Sequence, residues 1–347
     1  MRQNKWGWRL PFLLFLCVAT VFVIRRHAPE GSLARPVDYQ RSEGTIFGTV
    51  WHATYQSDSS LQHSILQELR RVDASLSMFN PKSTLSRINR GETAEMDSLL
   101  RIVLTQAMQV SRETEGCFDV TVAPLVNAWG FGFKHDVLPD SAQVDSLRQF
   151  VGWQGLTIEK DRLTKADERM VIDLSAIAKG FGVDQVASLF NRHGIRNYMI
   201  EIGGEIVVKG KNPKGEAWNI GVNKPVEDST SLNQEILTTL HLTDCAMATS
   251  GNYRNYYISP DGRKLAHTID PHTGYPVRHT LLSSTVVAPV CSMADAFATS
   301  FMVMGLERAR ELLGRHPELK AYLIYSDDKG ELKVWENLEN DNEKNGK

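Results

Sequence analysis

The chain has 347 residues, 42% of them hydrophobic and 23% charged, with a formal net charge of −2 and a pI near 6.6. That length suits one large domain or two ordinary ones, and the composition excludes a disordered or fibrous protein. The near-neutral balance offers no basic surface for nucleic acid, which is set aside as a partner.

Arg2, Lys5 and Arg9 precede a charge-free, predominantly apolar run from Leu10 to Ile24, closed by Arg25 and Arg26. Residues 1–26 therefore read as an export signal or a membrane anchor. The run is short for a span, though Trp6 and Trp8 would extend it into the interface. No small-x-small pattern follows it, and Leu16 before Cys17 fits a lipoprotein cleavage box badly, which favours a retained anchor. The positive flank would stay in the cytoplasm and the globular part lie outside, an orientation that Arg25 and Arg26 weaken. Beyond it, Cys117, Cys245 and Cys291 are odd in number, apolar in context and widely spaced. They read as small core hydrophobes, not as a disulfide framework or a zinc site.

Residues 27–44 are polar and proline-containing, a linker. Thr45 to Tyr55 is rich in β-branched and aromatic residues and predicts a strand with a bulge at Gly48. Leu61, Ile65, Leu69, Val72 and Leu76 recur at helical spacing. Ser77 to Asn89 is a hydroxyl-rich, helix-capping loop carrying Phe79. A second helix is predicted from Ser98 to Thr114, stopping at Gly116. The stretch from Cys117 to Gly132 follows, with Asp119 just beyond the helix end and Trp129 and Phe131 beside glycines. Those aromatics would pack a planar ligand or simply a loop.

A short helix over Asp140 to Val151 and strand pieces at 156–158 and 162–164 come next. Met170 to Leu174 then leads through Asp173 into a helix that carries Ala176, Lys179 and Gly180 and ends before Gly194. A helix N-terminus followed by a lysine one turn in would suit a phosphate. An ordinary aspartate cap and a solvated lysine answer the same pattern. Strands at Tyr198 to Ile202 and Glu205 to Val208 flank Gly203-Gly204, a bulge or a close backbone approach. Further strands are predicted at 218–222, 236–242 and 282–288, and then a helix from Ser292, its N-cap, to Met304. Asp295 and Thr299 share a face of that helix. They offer hard oxygens suited to Mg²⁺, or a hydrogen bond to each other. A helix at 306–314 and strands at 321–325 and 332–335 complete the domain, and the polar tail 336–347 is expected to be disordered.

Between the strands lies Leu265 to Pro276, with His267, Asp270, Pro271, Thr273 and Gly274 in a dozen residues. Asp-Pro and Thr-Gly should turn the backbone sharply and let His267 and Asp270 face one ligand. A hairpin loop with a solvated histidine would look the same.

Taken together, Ser77-Met-Phe79 with Ser83 to Asn89, Gly116-Cys-Phe118-Asp119-Val-Thr121, Ile172-Asp173-Leu with Lys179-Gly180, Ile202-Gly203-Gly204-Glu205, Ala248-Thr249-Ser250-Gly251-Asn-Tyr253, His267-Thr-Ile-Asp270-Pro271-His-Thr273-Gly274-Tyr-Pro276 and Ala294-Asp295-Ala-Phe-Ala298-Thr299 occur in order. The stretch from Thr45 to Gly314 resembles the ApbE family of FAD:protein FMN transferases. The resemblance implies an α+β fold of mixed or antiparallel sheets flanked by helices, with one catalytic unit over residues 45–335. It implies transfer of FMN from FAD, with Mg²⁺, to a threonine of an exported or membrane redox protein, releasing AMP. Subunits of the sodium-pumping NADH:quinone oxidoreductase and of the Rnf complex are such acceptors. The acceptor pattern is Asp-Gly-x-Thr/Ser-Gly-Ala-Thr/Ser, which this chain lacks, so it is expected to be the donor enzyme. By the family's motifs, Phe47 (where methionine is frequent), Phe79, Cys117, Phe118, Asp119, Asp173, Lys179 and Ile269 would bind FAD. The Ala176 carbonyl, Asp295 and Thr299 would bind Mg²⁺. His267 would take the acceptor's proton, with Asp270 orienting it or the loop. The site would lie on the periplasmic side of a bacterial inner membrane. A Mg²⁺-dependent FAD pyrophosphatase and a non-catalytic exported flavin binder are the competing expectations.

Overall fold

Alternation of buried and exposed side chains builds the centre of the molecule, an eight-stranded sheet in the order β1-β2-β5-β6-β9-β12-β13-β14 with every neighbouring pair antiparallel. The computed structural model describes residues 38–132, 138–225, 235–252, 256–258 and 264–338. The candidate anchor and the polar tail beyond residue 338 lie outside them. Among the described residues no helix is long and apolar enough to cross a membrane. The described residues from Tyr39 onward form one unit.

In chain order the elements are β1 (Tyr39–Ile46), β2 (Thr49–Gln56), α1 (Gln62–Leu76), α2 (Thr84–Asn89), α3 (Ser98–Glu113), α4 (Ala123–Ala128), α5 (Ser141–Arg148), β3 (Leu156–Glu159), β4 (Arg162–Lys165), α6 (Ser175–Arg192), β5 (Tyr198–Ile202), β6 (Glu205–Lys209), β7 (Trp218–Asn223), β8 (Ile236–Leu242), β9 (Cys245–Gly251), β10 (Tyr256–Ile258), β11 (Lys264–Ala266), β12 (Leu281–Ala288), α7 (Cys291–Met304), α8 (Leu306–Arg315), β13 (Lys320–Ser326) and β14 (Leu332–Glu336). The fold is α+β, as expected.

Over β12 and β13 the sheet is buried on both faces, alternate residues pointing to different layers. Val286 and Ala288 of β12 and Ala321 and Leu323 of β13 pack on the helical side with Phe297 and Phe301 of α7. Their neighbours Val287, Tyr322 and Ile324 point the other way, where the β7–β8 ribbon covers them with Trp218, Ile220 and Val222. Farther along the sheet, Trp51, Tyr55, Ile200 and Ile202 meet α1 and α6 through Ile65, Leu69, Val186 and Phe190.

Several expectations need correction. Residues 45–55 are not one strand with a bulge. Phe47 and Gly48 both have positive φ, 52° and 72°, and turn the chain into a β1–β2 hairpin that pairs Ile46 with Thr49. Two left-handed residues match the twist of a two-residue hairpin, and the first strand begins at Tyr39, inside the stretch read as linker. Gly203-Gly204 is likewise a hairpin turn, with φ of 63° and 109°, and pairs Ile202 with Glu205. The loop 77–89 contains α2, capped by Ser83 Oγ accepting from Ser86 N. Residues 245–251 form β9, a central strand. The three cysteines are free, with Cys117 and Cys291 buried and Cys245 half-buried.

Ser292 does not cap its helix. Its hydroxyl is buried without a hydrogen-bond partner among the described residues. The orphan N–H groups of Cys291 and Ser292 are taken, at 2.9 Å each, by the two carboxylate oxygens of Asp184 on α6. A tertiary carboxylate thus does the work of a cap. Beside it, Gly180 lets the two helices touch: a Cβ there would lie 2.5 Å from the Cys291 carbonyl oxygen. Gly180→Ala should lower stability by about 1–3 kcal/mol, since backbone must move to admit the methyl, as thermal melting will show. Burial, outweighing the N–H bonds from Ser292 and Cys291, raises the Asp184 carboxyl to about 6. Because the fold holds that proton more tightly than the unfolded chain, this share of the stability is full below the ordinary 3.8 and is lost as pH rises through about 6. Urea melts from about pH 4 to 7 should therefore show wild type losing stability relative to Asp184→Asn.

Candidate active site

The α6–α7 contact delivers charge to a cleft. Asp295, one turn into α7, reaches across to α6, where its Oδ2 accepts from Gly180 N at 3.1 Å. Lys179, the preceding residue, places Nζ 2.7 Å from Glu205 Oε1 and 3.8 Å from Asp295 Oδ1. Glu205 comes from the sheet, at the first position of β6 after the glycine turn. Two nearly fully buried carboxylates, each 2% exposed, therefore face one ammonium. Burial raises the Glu205 and Asp295 carboxyls, with the neighbouring Lys179 ammonium opposing it in both. Burial also works against the charge on Lys179, but Asp295 and Glu205 outweigh it and hold its pKa above the lysine range.

These residues line a cleft of about 1360 Å³. That exceeds the ~300–1,000 Å³ of most small-molecule sites, leaving room for a dinucleotide and a second reactant. All but one of the residues expected to act share this cleft: Phe47, Phe79, Cys117, Phe118, Asp119, Asp173, Ala176, Lys179, His267, Ile269, Asp295 and Thr299. Phe47 lies against α6, where a Cβ on Gly182 would come within 2.8 Å of its ring. Phe79 is 66% exposed at the cleft. Asp119 accepts from Thr121 N, Thr121 Oγ1 and Trp153 N at 2.6–2.9 Å, which ties its loop to residues 152–153. Burial nonetheless raises its pKa, the three bonds opposing. Asp173 Oδ1 accepts from Ser175 N and Oγ at 2.8 and 2.5 Å and so holds the start of α6. Burial raises its pKa too.

Asp270 is the exception. Its Oδ1 accepts from His272 N at 2.9 Å and its Oδ2 from Thr273 Oγ1 at 3.1 Å, and it borders a separate depression behind the loop. Of the two roles expected, orienting His267 or orienting the loop, the hydrogen bonds match the loop. Further ties fix that loop from outside. Trp129 Nε1 donates to the Gly274 carbonyl at 2.8 Å, His272 Nε2 to the Glu115 carbonyl at 2.9 Å, and Thr268 Oγ1 to Asn252 Oδ1 at 2.7 Å. Trp129 therefore packs a loop, while Phe131 turns its edge to the His267 ring, 6.3 Å between centroids, within the cleft.

The donors available to a cation are one carboxylate, one hydroxyl and one carbonyl. Asp295 and Thr299 hold different partners, Thr299 Oγ1 pairing with Ser250 Oγ at 3.1 Å. Gly180 N–H, whose regular helical acceptor is the Ala176 carbonyl, is the group that donates to Asp295. Among the described residues no three His, Cys, Asp or Glu side chains converge as a cage. A set of few hard oxygens in a cleft of this size fits Mg²⁺, which keeps waters and substrate oxygens in its shell. Glu205 was the residue of this cluster to which motif reading assigned no role. Its signal was the glycine pair before it, the hairpin turn that sets the start of β6 at this residue.

The chain is similar to known flavin transferases. The ApbE family model matches residues 47–323. The FAD:protein FMN transferase of Haemophilus influenzae is 38% identical over 304 residues, covering 83% of this chain and 86% of that protein. The one from Vibrio cholerae is 38% identical over 305 residues, covering 85% and 90%. The solved flavin transferase ApbE of Vibrio cholerae superposes with a TM-score of 0.78 at 36% identity, covering 87% of this chain and 97% of that one. The apo flavinyl transferase ApbE of Pseudomonas stutzeri gives 0.76 at 29% identity, covering 86% and 94%.

Asp270→Ala should cost about 1–2 kcal/mol, because it leaves the His272 N–H and Thr273 hydroxyl without their acceptor. Hydrogen exchange should quicken across 267–276; unchanged exchange there would show that the turn holds without Asp270.

Proposed function

Since the chain belongs to the ApbE family, we propose that it is an FAD:protein FMN transferase that moves FMN, with Mg²⁺, onto a threonine side chain as a phosphoester and releases AMP. The observation that carries this is the meeting of His267, Lys179, the Asp295–Thr299 face and the aromatic Phe47 and Phe79 in one cleft. In the transfer, the threonine Oγ bonds to the FMN phosphorus and the bond from that phosphorus to the bridging oxygen breaks. AMP departs with that oxygen and its electron pair. The hydroxyl proton goes to His267.

A threonine hydroxyl is a weak nucleophile, and a base whose intrinsic pKa is near the working pH contributes ~10²–10⁴ in rate. Two histidines line the cleft, His52 and His267, and His267 is the one carried on a loop braced from three sides. Lys179 offers a positive charge to the pyrophosphate. Phe47, Phe79, Phe118 and Ile269 supply apolar contact for the ring systems, with Cys117, Asp119 and Asp173 around them. Asp295, Thr299 and the Ala176 carbonyl would hold Mg²⁺, which when bound neutralises charge developing on the phosphate oxygens. The acceptor is an exported or membrane redox protein presenting an Asp-Gly-x-Thr/Ser-Gly-Ala-Thr/Ser segment. The apolar run at 10–24 would keep the enzyme at the membrane with its cleft on the periplasmic side.

Incubation with FAD, Mg²⁺ and an acceptor peptide should yield the covalent FMN adduct by mass spectrometry. Free FMN without adduct would identify a pyrophosphatase, and intact FAD a flavin binder. His267→Ala should keep FAD binding, read by flavin fluorescence, and slow transfer by about 10²–10⁴. An undiminished rate would remove His267 from that role. Asp295→Ala should abolish the Mg²⁺-dependent rate; retained metal dependence would refute the ligand assignment.

A further inference from the structure

Lys179 has two carboxylates within reach and favours one. Its Nζ lies 2.7 Å from Glu205 Oε1 but 3.8 Å from Asp295 Oδ1. Glu205 is 2% exposed, and its Oε2 is buried with no hydrogen-bond partner among the described residues. A buried carboxylate left half-satisfied is costly, and such a group needs a reason to be there. Asp295 is held from the other side by Gly180 N–H, adjacent to Lys179 in the chain, so the lysine cannot be far from it. Without a competing charge the ammonium would close on Asp295 and occupy the lone pairs a divalent ion needs.

We propose that Glu205 is a positioning residue that holds the Lys179 ammonium off Asp295 and so keeps that carboxylate open to Mg²⁺. This rests on the reading of Asp295 as a metal ligand. Glu205 acts through Lys179, with its register set by the Gly203–Gly204 turn that starts β6 at this residue.

The test uses Mn²⁺ as a spectroscopic substitute, its binding to the nucleotide-free full chain read by electron paramagnetic resonance. Glu205→Gln keeps the shape and loses the charge, and should weaken Mn²⁺ binding about 10- to 100-fold, the usual cost of removing an outer partner of a metal ligand. Adding Lys179→Met to it should recover most of that loss, because no ammonium then remains to occupy Asp295. Lys179→Met alone should bind Mn²⁺ at least as tightly as wild type. A residue with only a structural role would lower the melting temperature without this recovery. Equal binding by wild type and Glu205→Gln, loss without recovery in the double variant, or weakened binding by Lys179→Met would each overturn the inference and leave the metal reading standing. Wild type that takes up no Mn²⁺ would overturn the metal reading and this inference with it.

Discussion

Contact between α6 and α7 at Gly180 is the constraint on which the site depends. A side chain there would collide with the Cys291 carbonyl, so glycine sets how near the helices come. Asp184 then binds the first two N–H groups of α7, and Asp295 returns a carboxylate to the Gly180 N–H. Three polar contacts therefore lock the pair in rotation as well as distance. Buried polar groups are expensive unless satisfied, and that cost makes the arrangement specific. Lys179 and Asp295 meet at this locked crossing, next to a strand that begins with Glu205.

The second support of the site is the loop 265–276. Asp270 turns it from within, while Trp129, Glu115 and Asn252 tether it from elements far away in the chain. Such bracing holds His267 on the cleft side without the stiffness of a helix or strand. Positioning of that kind suits the two-substrate transfer proposed above, in which a base meets a hydroxyl brought in by another protein, and the cleft of about 1360 Å³ is larger than most small-molecule sites.

Much of this was legible in the order of residues. Helices announced themselves by apolar spacing, as with Ile65, Leu69 and Val72, and β6 and β12 by β-branched runs, whereas the central β9, Cys-Ala-Met-Ala-Thr-Ser-Gly, carries no such run. What misled were the turns. Gly48 read as a bulge, and Gly203-Gly204 as a bulge or a close backbone approach, because a strand interrupted by glycine looks the same whether the chain continues or reverses. Only pairing of Ile46 with Thr49 and of Ile202 with Glu205 distinguishes the two. Ser292 misled in another way. A serine at a helix start is a good local cap, but the local signal says nothing of a carboxylate arriving from α6.

By itself the chain determined which residue types could do the chemistry, since an imidazole, a lysine and an aspartate–threonine pair at i, i+4 carry their properties wherever they fold. It determined the family as well, through motifs spread from Phe47 to Thr299. Tertiary structure alone decided the partnerships: that Lys179 rests on Glu205 more closely than on Asp295, that Asp270 serves the turn, and that Asp184 caps α7. The reason is physical. Local propensity depends on neighbours in the chain, whereas the energy of a buried charge depends on what the fold places around it.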